Sequence, residues 1–257
     1  MLDLVCIGAS QLHPLNGAYR ERQRDGTADF NFYPMLVSEG LYRPGMYIAD
    51  GKIKFNRRFD ADFRDYLAGN DPPVIFTYFG GHEHVPIALI NSPRPYDILL
   101  PDEAGGTPAT GAEIIPYDLM MASCRFFVGG WLAWFPHLRE FTDRPIYQIA
   151  VPPPVTGDDH IRQHAGSDFT EQIERYGIAP ERLRAKVWQI CVKATEAQCA
   201  EHGIGLVGSM PETLDANHCL LPQFRGHDAV HPNNAYGHLL LDRMLSIAAA
   251  HRRGGSA

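Results

Sequence analysis

Short apolar runs, each ended by glycine, proline or polar residues, alternate along the chain with longer segments of helical periodicity. The runs at residues 2–7, 30–37 and 73–79 are nearly continuous and predict strands that are buried on both faces. The run at 145–151 leads into three consecutive prolines, which cannot continue a strand. Residues 204–207 form one further short apolar run. These patterns predict five strands of a central sheet.

Helical patterns occupy much of the sequence between and after these runs. The clearest covers residues 180–202, where Pro180 suits the first turn and Gly203 supplies a stop. Residues 236–250 predict a closing helix, and residues 59–67 predict a shorter one. A hairpin is predicted at 46–55, because Asp50-Gly51 tolerates the positive φ angles of a tight turn.

The alternation of strands and helices predicts an α/β fold, a three-layer sandwich with a mostly parallel central sheet. No repeat or linker divides the sequence, so we expect one domain over residues 1–257, with a divergent insertion around 85–140. That insertion contains a predicted short strand at 96–100 and an apolar segment at 118–135. The apolar segment is either a core helix interrupted at Gly129-Gly130 or the wall of an acyl pocket, and the sequence leaves both open.

Composition and charge narrow the range of partners and locations. Hydrophobic residues make up 45% and charged residues 21% of the chain, which is typical of a globular protein. The net charge of −7 and the lack of a basic cluster argue against nucleic acid or an anionic membrane as a partner. The first apolar run is too short for a signal peptide, and the five cysteines form no Cys-x-x-Cys pair. We therefore expect a cytoplasmic protein with reduced thiols and no bound cofactor.

Reactive side chains follow two of the predicted strands and precede the last helix. Ser10 comes after the first strand, and His82 and His84 come after the strand at 73–79. Asp228 and His231 stand three residues apart before the closing helix. In a parallel sheet such positions share the edge at the carboxyl ends of the strands. A serine nucleophile needs a base and a group that orients the base, and the Asp-x-x-His segment provides both.

The order of these segments resembles the SGNH (GDSL-type) hydrolases over nearly the whole chain. The first block of that family, a strand ending in Gly-Asp-Ser, corresponds to Cys-Ile-Gly-Ala-Ser at residues 6–10. The third block, Gly-x-Asn, corresponds to Gly-Gly-His at 80–82, and the fifth, Asp-x-x-His-Pro-Asn, is intact at 228–233. The strand that ends in prolines, and the long helix followed by residues 203–207, also fit the family's order. The resemblance implies a flavodoxin-like SGNH hydrolase fold.

The resemblance also implies a role for each matching residue. Ser10 would be the nucleophile, His231 the general base and then acid, and Asp228 the residue that fixes the imidazole. The oxyanion hole would be formed by the backbone N–H of Ser10, the backbone N–H of Gly40 and a side-chain donor from His82. A neutral imidazole can donate one hydrogen bond to an oxyanion, so histidine is a chemically acceptable replacement for the family's asparagine.

These residues predict a serine esterase or deacylase that acts on an acyl ester of a carbohydrate or small metabolite. Acyl transfer from the same serine to another acceptor also stays open, and so do two alternatives of a different class. Ala9 and His82 depart from the family's blocks, which is consistent with a domain that binds a ligand without hydrolysing it. His82, His84, Asp228 and His231 are also residue types that bind metals, so a metal-dependent hydrolase is the other alternative. The sequence does not indicate an oligomeric state.

Overall fold

The computed structural model describes residues 1–49, 52–81, 83–103 and 108–254. Strands and helices alternate along most of this chain. In order they are β1 (Leu2–Gly8), α1 (Leu12–Arg24), β2 (Phe30–Leu36), β3 (Met46–Ala49), β4 (Lys52–Phe55), α2 (Arg57–Gly69), β5 (Ile75–Tyr78), α3 (Val85–Ala88), β6 (Tyr96–Ile98), β7 (Glu113–Ile115), α4 (Tyr117–Leu132), α5 (Trp134–Leu138), β8 (Ile146–Ile149), α6 (Asp158–His164), α7 (Gly166–Tyr176), α8 (Glu181–Glu201), β9 (Gly205–Val207) and α9 (Asn234–Gly254).

Five of the described strands form one parallel sheet in the order β2-β1-β5-β8-β9. Counted among themselves along the chain, these strands have the order 2-1-3-4-5, which is that of flavodoxin-like folds. All five predicted sheet strands are present within a few residues of their expected bounds. The predicted fold class, α/β with a mostly parallel central sheet, is therefore confirmed.

Strand β1 shows how the three layers form around the sheet. Its side chains alternate between the two faces, as in any strand. Leu4 and Cys6 are fully buried in a cluster with apolar residues of α1 and α9. Val5 and Ile7 are equally buried in a second cluster with residues of α2 and α5. Helices thus cover both faces of the sheet, as the sandwich prediction requires.

The segment 85–140 differs from its prediction in detail. Helix α4 continues through Gly129 and Gly130 to Leu132, so the predicted interruption at the two glycines is wrong. The chain instead breaks at Ala133, between α4 and α5. Burial explains the continuity, because Cys124, Val128 and Leu132 form one stripe at helical spacing against the core. Strand β7, which pairs in parallel with β6, was not predicted at all.

Helices α1, α3, α6 and α7 were also not predicted. Helix α1 contains both a proline and a glycine, which lower its helical propensity. It is stabilised instead by burying Leu12, Leu15 and Ala18. The predicted hairpin is present, since β3 and β4 pair antiparallel. Its turn residues, Asp50 and Gly51, lie outside the described residues.

Among the described residues, no helix combines the length and the apolar character that crossing a membrane requires.

A buried ionic cluster fastens the segment 85–140 to α8. Lys186 Nζ lies 2.9 Å from Asp97 Oδ1, 3.0 Å from Glu103 Oε2 and 2.7 Å from the carbonyl oxygen of Ile98. The side chains of Lys186 and Asp97 are only 3% and 6% exposed. Burial raises the pKa of Asp97, but hydrogen bonds from Lys186 and from backbone N–H groups outweigh it and hold the pKa below its usual range. Asp97 is therefore ionised in the folded protein at neutral pH.

Replacing Lys186 with methionine is expected to lower the free energy of unfolding at pH 7 by about 3–5 kcal/mol, because Asp97 is then buried without its counter-ion. The double variant Lys186→Met/Asp97→Asn should recover most of this loss. Since the folded pKa of Asp97 is depressed, its stabilising contribution is present above an unfolded pKa of about 3.9 and is lost as the pH falls through the folded value. The deficit of Lys186→Met should therefore shrink as the pH falls below about 4.

Urea unfolding measures this deficit, and Lys193→Met, at an exposed position of the same helix, is the control. Equal stability losses for the two lysine variants would contradict the assignment.

Candidate active site

Ser10, His231 and Asp228 form one hydrogen-bonded line at the carboxyl edge of the sheet. Ser10 lies in the turn between β1 and α1, and His231 lies just before α9. Ser10 Oγ is 2.9 Å from His231 Nε2. His231 Nδ1 is 2.7 Å from Asp228 Oδ2. The structure therefore brings together the three residues that the sequence predicted to act as one unit.

The loop 226–233 gives each carboxylate oxygen of Asp228 a separate partner. Oδ1 accepts the backbone N–H groups of Val230 and His231, at 2.8 and 2.7 Å. Oδ2 is thereby directed at the imidazole. Asn233 then caps the N-terminus of α9, because its Oδ1 accepts the N–H groups of Ala235 and Tyr236. The Asp-x-x-His-Pro-Asn motif is thus an aspartate turn that leads into a capped helix.

The charge of Asp228 sets the tautomer of His231. Burial raises the pKa of Asp228, but hydrogen bonds from the His231 ring and from the N–H groups of His231 and Val230 outweigh it. The pKa lies well below the ordinary aspartate value, so the carboxylate is ionised at neutral pH and only accepts hydrogen bonds. In the neutral ring, His231 Nδ1 then carries the proton, and Nε2 is left to accept the hydrogen bond of the Ser10 hydroxyl.

Close packing of α1 against α9 fixes the loops that carry Ser10 and His231. A Cβ atom on Gly237 would lie 2.2 Å from the carbonyl oxygen of Pro14, so only glycine allows this approach. Glu21 joins the helices further along, with its two oxygens 2.8 Å from His238 Nε2 and 2.7 Å from Asn234 Nδ2. Because α1 begins next to Ser10 and α9 begins next to His231, this contact holds the two side chains in register.

His160 of α6 contacts the loop 226–233, which contains Asp228. Its Nε2 lies 3.2 Å from the backbone oxygen of Asp228, which can only accept, so Nε2 carries a proton. Burial lowers the pKa of His160, which favours the neutral ring. The sequence did not indicate a supporting role for His160, Glu21 or His238, because their partners are distant in the chain.

Of the two oxyanion donors predicted outside the Ser10 turn, the structure describes Gly40 but not His82. Gly40 begins a short 3₁₀ turn that follows β2. The neighbouring Glu39 lies 2.9 Å from His13, and the N–H of Val37 donates to the carbonyl oxygen of Gly8. The segment after β2 is thus next to the Ser10 turn, while Gly40 as a donor stays a prediction. His82 lies outside the described residues, so its role also stays a prediction.

The metal alternative gains no support from the described part of the chain. There, no group of three or more His, Cys, Asp or Glu side chains is placed to hold a metal ion. Both ring nitrogens of His231 already face Ser10 and Asp228. His84 is buried and borders a small cavity with Arg184 and Ala229, next to the aspartate loop.

A cleft of about 550 Å³ opens beside Ser10 and His231. The start of α1, the loop before α9 and the first turn of α9 form its walls. The polar side chains that line it besides the three reactive ones belong to His13, Glu21, His227, Asn233, Asn234 and His238. Trp131 and Leu132 of α4 border a second, much smaller cavity with Glu83 and Gln148.

No family model matches the chain, and no curated protein matches it in sequence. Solved structures do resemble it. A GDSL-like lipase from Bacteroides thetaiotaomicron is 13% identical, with a TM-score of 0.43 over 98% of this chain and 88% of the other. The periplasmic domain of a lipopolysaccharide acetyltransferase from Salmonella ser. Paratyphi A is 12% identical, with a TM-score of 0.48 over 95% and 82%.

Proposed function

We propose that this chain is a serine hydrolase of the SGNH type, an esterase or deacylase that works through an acyl-enzyme on Ser10. The observation that carries the proposal is the continuous line from Ser10 Oγ through both ring nitrogens of His231 to Asp228. A side chain that merely caps a helix does not need a base aligned on its hydroxyl. This arrangement is the one that activates a serine for attack on a carbonyl carbon.

In this mechanism, Oγ attacks the ester carbonyl while His231 Nε2 takes the hydroxyl proton. The tetrahedral oxyanion is stabilised by N–H donors, for which the backbone N–H groups of Ser10 and Gly40 and the side chain of His82 are the proposed sources. His231 then protonates the leaving alcohol, which departs and leaves the acyl group on Ser10. Water, deprotonated by the same imidazole, attacks the acyl-enzyme and releases the acid.

The substrate we propose is an acyl ester of a carbohydrate or small metabolite. Histidine, asparagine and carboxylate groups line the cleft beside Ser10, and these groups suit a leaving alcohol that carries further hydroxyl groups.

Hydrolysis of p-nitrophenyl acetate with two treatments tests the proposed function against its alternatives. We expect turnover that persists in excess EDTA and disappears after treatment with a fluorophosphonate. Activity that EDTA removes, and that added zinc or manganese restores, would instead identify a metal-dependent hydrolase. A folded protein without turnover on short-chain and sugar acyl esters would favour a binding domain. Either result contradicts the proposal.

A further inference from the structure

The two backbone polar groups of Gly81, in the loop that follows β5, are both held by side chains. Gln11 Nε2 donates to the carbonyl oxygen of Gly81 at 3.0 Å. The N–H of Gly81 donates to Glu83 Oε2 at 2.9 Å. A loop peptide is thus fixed from both sides, without help from the hydrogen bonds of a strand or helix.

Gln11 is an unusual residue at its position. It directly follows Ser10, is fully buried, and makes no side-chain capping bond to α1. No described residue donates a hydrogen bond to its Oε1, although buried acceptors normally have a donor. The side chain does not cap α1, and its amide nitrogen instead binds a loop 70 residues away.

Gly81 fits against this side chain in a way that another residue would not. Its φ angle is +120°, a region that favours glycine. A Cβ atom there would lie 2.1 Å from Gln11 Cγ. The loop and the glutamine therefore pack as one closely fitted contact, which ties the position of Gly81 to the turn that carries Ser10.

We propose that Gln11 and Glu83 are positioning residues that hold the loop after β5 in place for oxyanion stabilisation. This inference rests on the proposed function, in which that loop supplies a donor. An oxyanion hole is effective because its donors are already in place before the charge develops. Gln11 holds the loop from the turn that carries Ser10, and Glu83 holds it from within the loop itself.

The first test is Gln11→Met, which keeps the volume of the side chain and removes its donor. We expect kcat to fall about 10- to 100-fold, because small misplacements of a catalytic group have effects of this size. KM should change little. The unfolding midpoint should stay within about 3 °C, since methionine keeps the volume and the apolar contacts of the buried side chain. Gln23→Met, at an exposed position of α1, is the matched control and should change nothing. A residue that only stabilised the fold would lower kcat and the unfolding midpoint together.

The second test compares two changes at Glu83. Glu83→Gln keeps an oxygen that accepts the N–H of Gly81 and should retain most of kcat. Glu83→Ala removes that acceptor and should lower kcat by a factor similar to that of Gln11→Met. Because both residues hold one loop, the double variant Gln11→Met/Glu83→Ala should lose less than the product of the single losses. Multiplicative losses would show that the two residues act separately and would overturn the proposal.

Hydrogen exchange gives a readout that does not depend on catalysis. The peptide covering 79–85 should exchange faster in Gln11→Met than in the wild type, and the rest of the chain should not. Unchanged exchange together with unchanged kcat overturns the positioning role and leaves the proposed function intact. A wild type that fluorophosphonate does not label overturns the proposed function, and the exchange result then still decides whether Gln11 holds the loop.

Discussion

Replacing Ser10 with alanine is expected to lower kcat/KM for p-nitrophenyl acetate by about 10⁴-fold or more. The loss is large because the proposed covalent pathway disappears with the hydroxyl, and no other group takes over the attack. The fold should persist, since the side-chain contact that the variant removes is the one to His231 Nε2.

Thermal unfolding and circular dichroism establish that the Ser10→Ala protein is folded, and initial rates measure the loss. Ser123→Ala is a suitable control, because its hydroxyl donates to the carbonyl oxygen of Leu119 in the preceding turn of α4. If Ser10→Ala kept more than about a tenth of the activity, Ser10 would not be the nucleophile, given the size of the loss that removing one causes.

Asp228→Asn is expected to lower kcat by about 10³- to 10⁴-fold while leaving the loop folded. The amide oxygen can still accept the N–H groups of Val230 and His231, as Oδ1 does now. The amide nitrogen, however, would replace Oδ2 opposite His231 Nδ1 and donate to it. The proton of the imidazole would then move to Nε2, which could no longer accept the proton of Ser10.

Asp215 offers a matched control for this variant. Its Oδ1 accepts the N–H groups of Asn217 and Cys219 in the same kind of aspartate turn, outside the site. Asp215→Asn should therefore leave kcat unchanged, with a similar effect on stability. A comparable loss of kcat in both variants would mean that the turn, and not the tautomer of His231, is what matters.

The sequence was informative about the site wherever reactive residues adjoin the ends of elements. Ser10 follows an apolar run, and the Asp-x-x-His segment precedes an amphipathic helix. The topology of a parallel sheet brings such positions to one edge, so their meeting could be expected without coordinates. The strand predictions succeeded because continuous apolar runs are what a sheet covered on both faces requires.

The supporting residues could not be found in this way. Gln11 meets Gly81 across 70 positions, and Glu21 meets His238 across 217. Such contacts depend on the register between β1 and β5 and on how closely α1 approaches α9. The local sequence pattern indicates neither this register nor the distance between the two helices. Helix α1 was missed for a related reason, because its stability comes from burial against the sheet and from contact with α9, and its own sequence contains a proline and a glycine.

Intact-mass analysis after incubation with a fluorophosphonate shows directly whether Ser10 is activated. We expect one adduct per chain in the wild type, mapped to the peptide that contains Ser10. We expect no adduct in Ser10→Ala and strongly reduced labelling in Asp228→Asn. A folded wild-type protein that takes up no label, or equal labelling of the Ser10→Ala variant, would show that Ser10 is not an activated nucleophile.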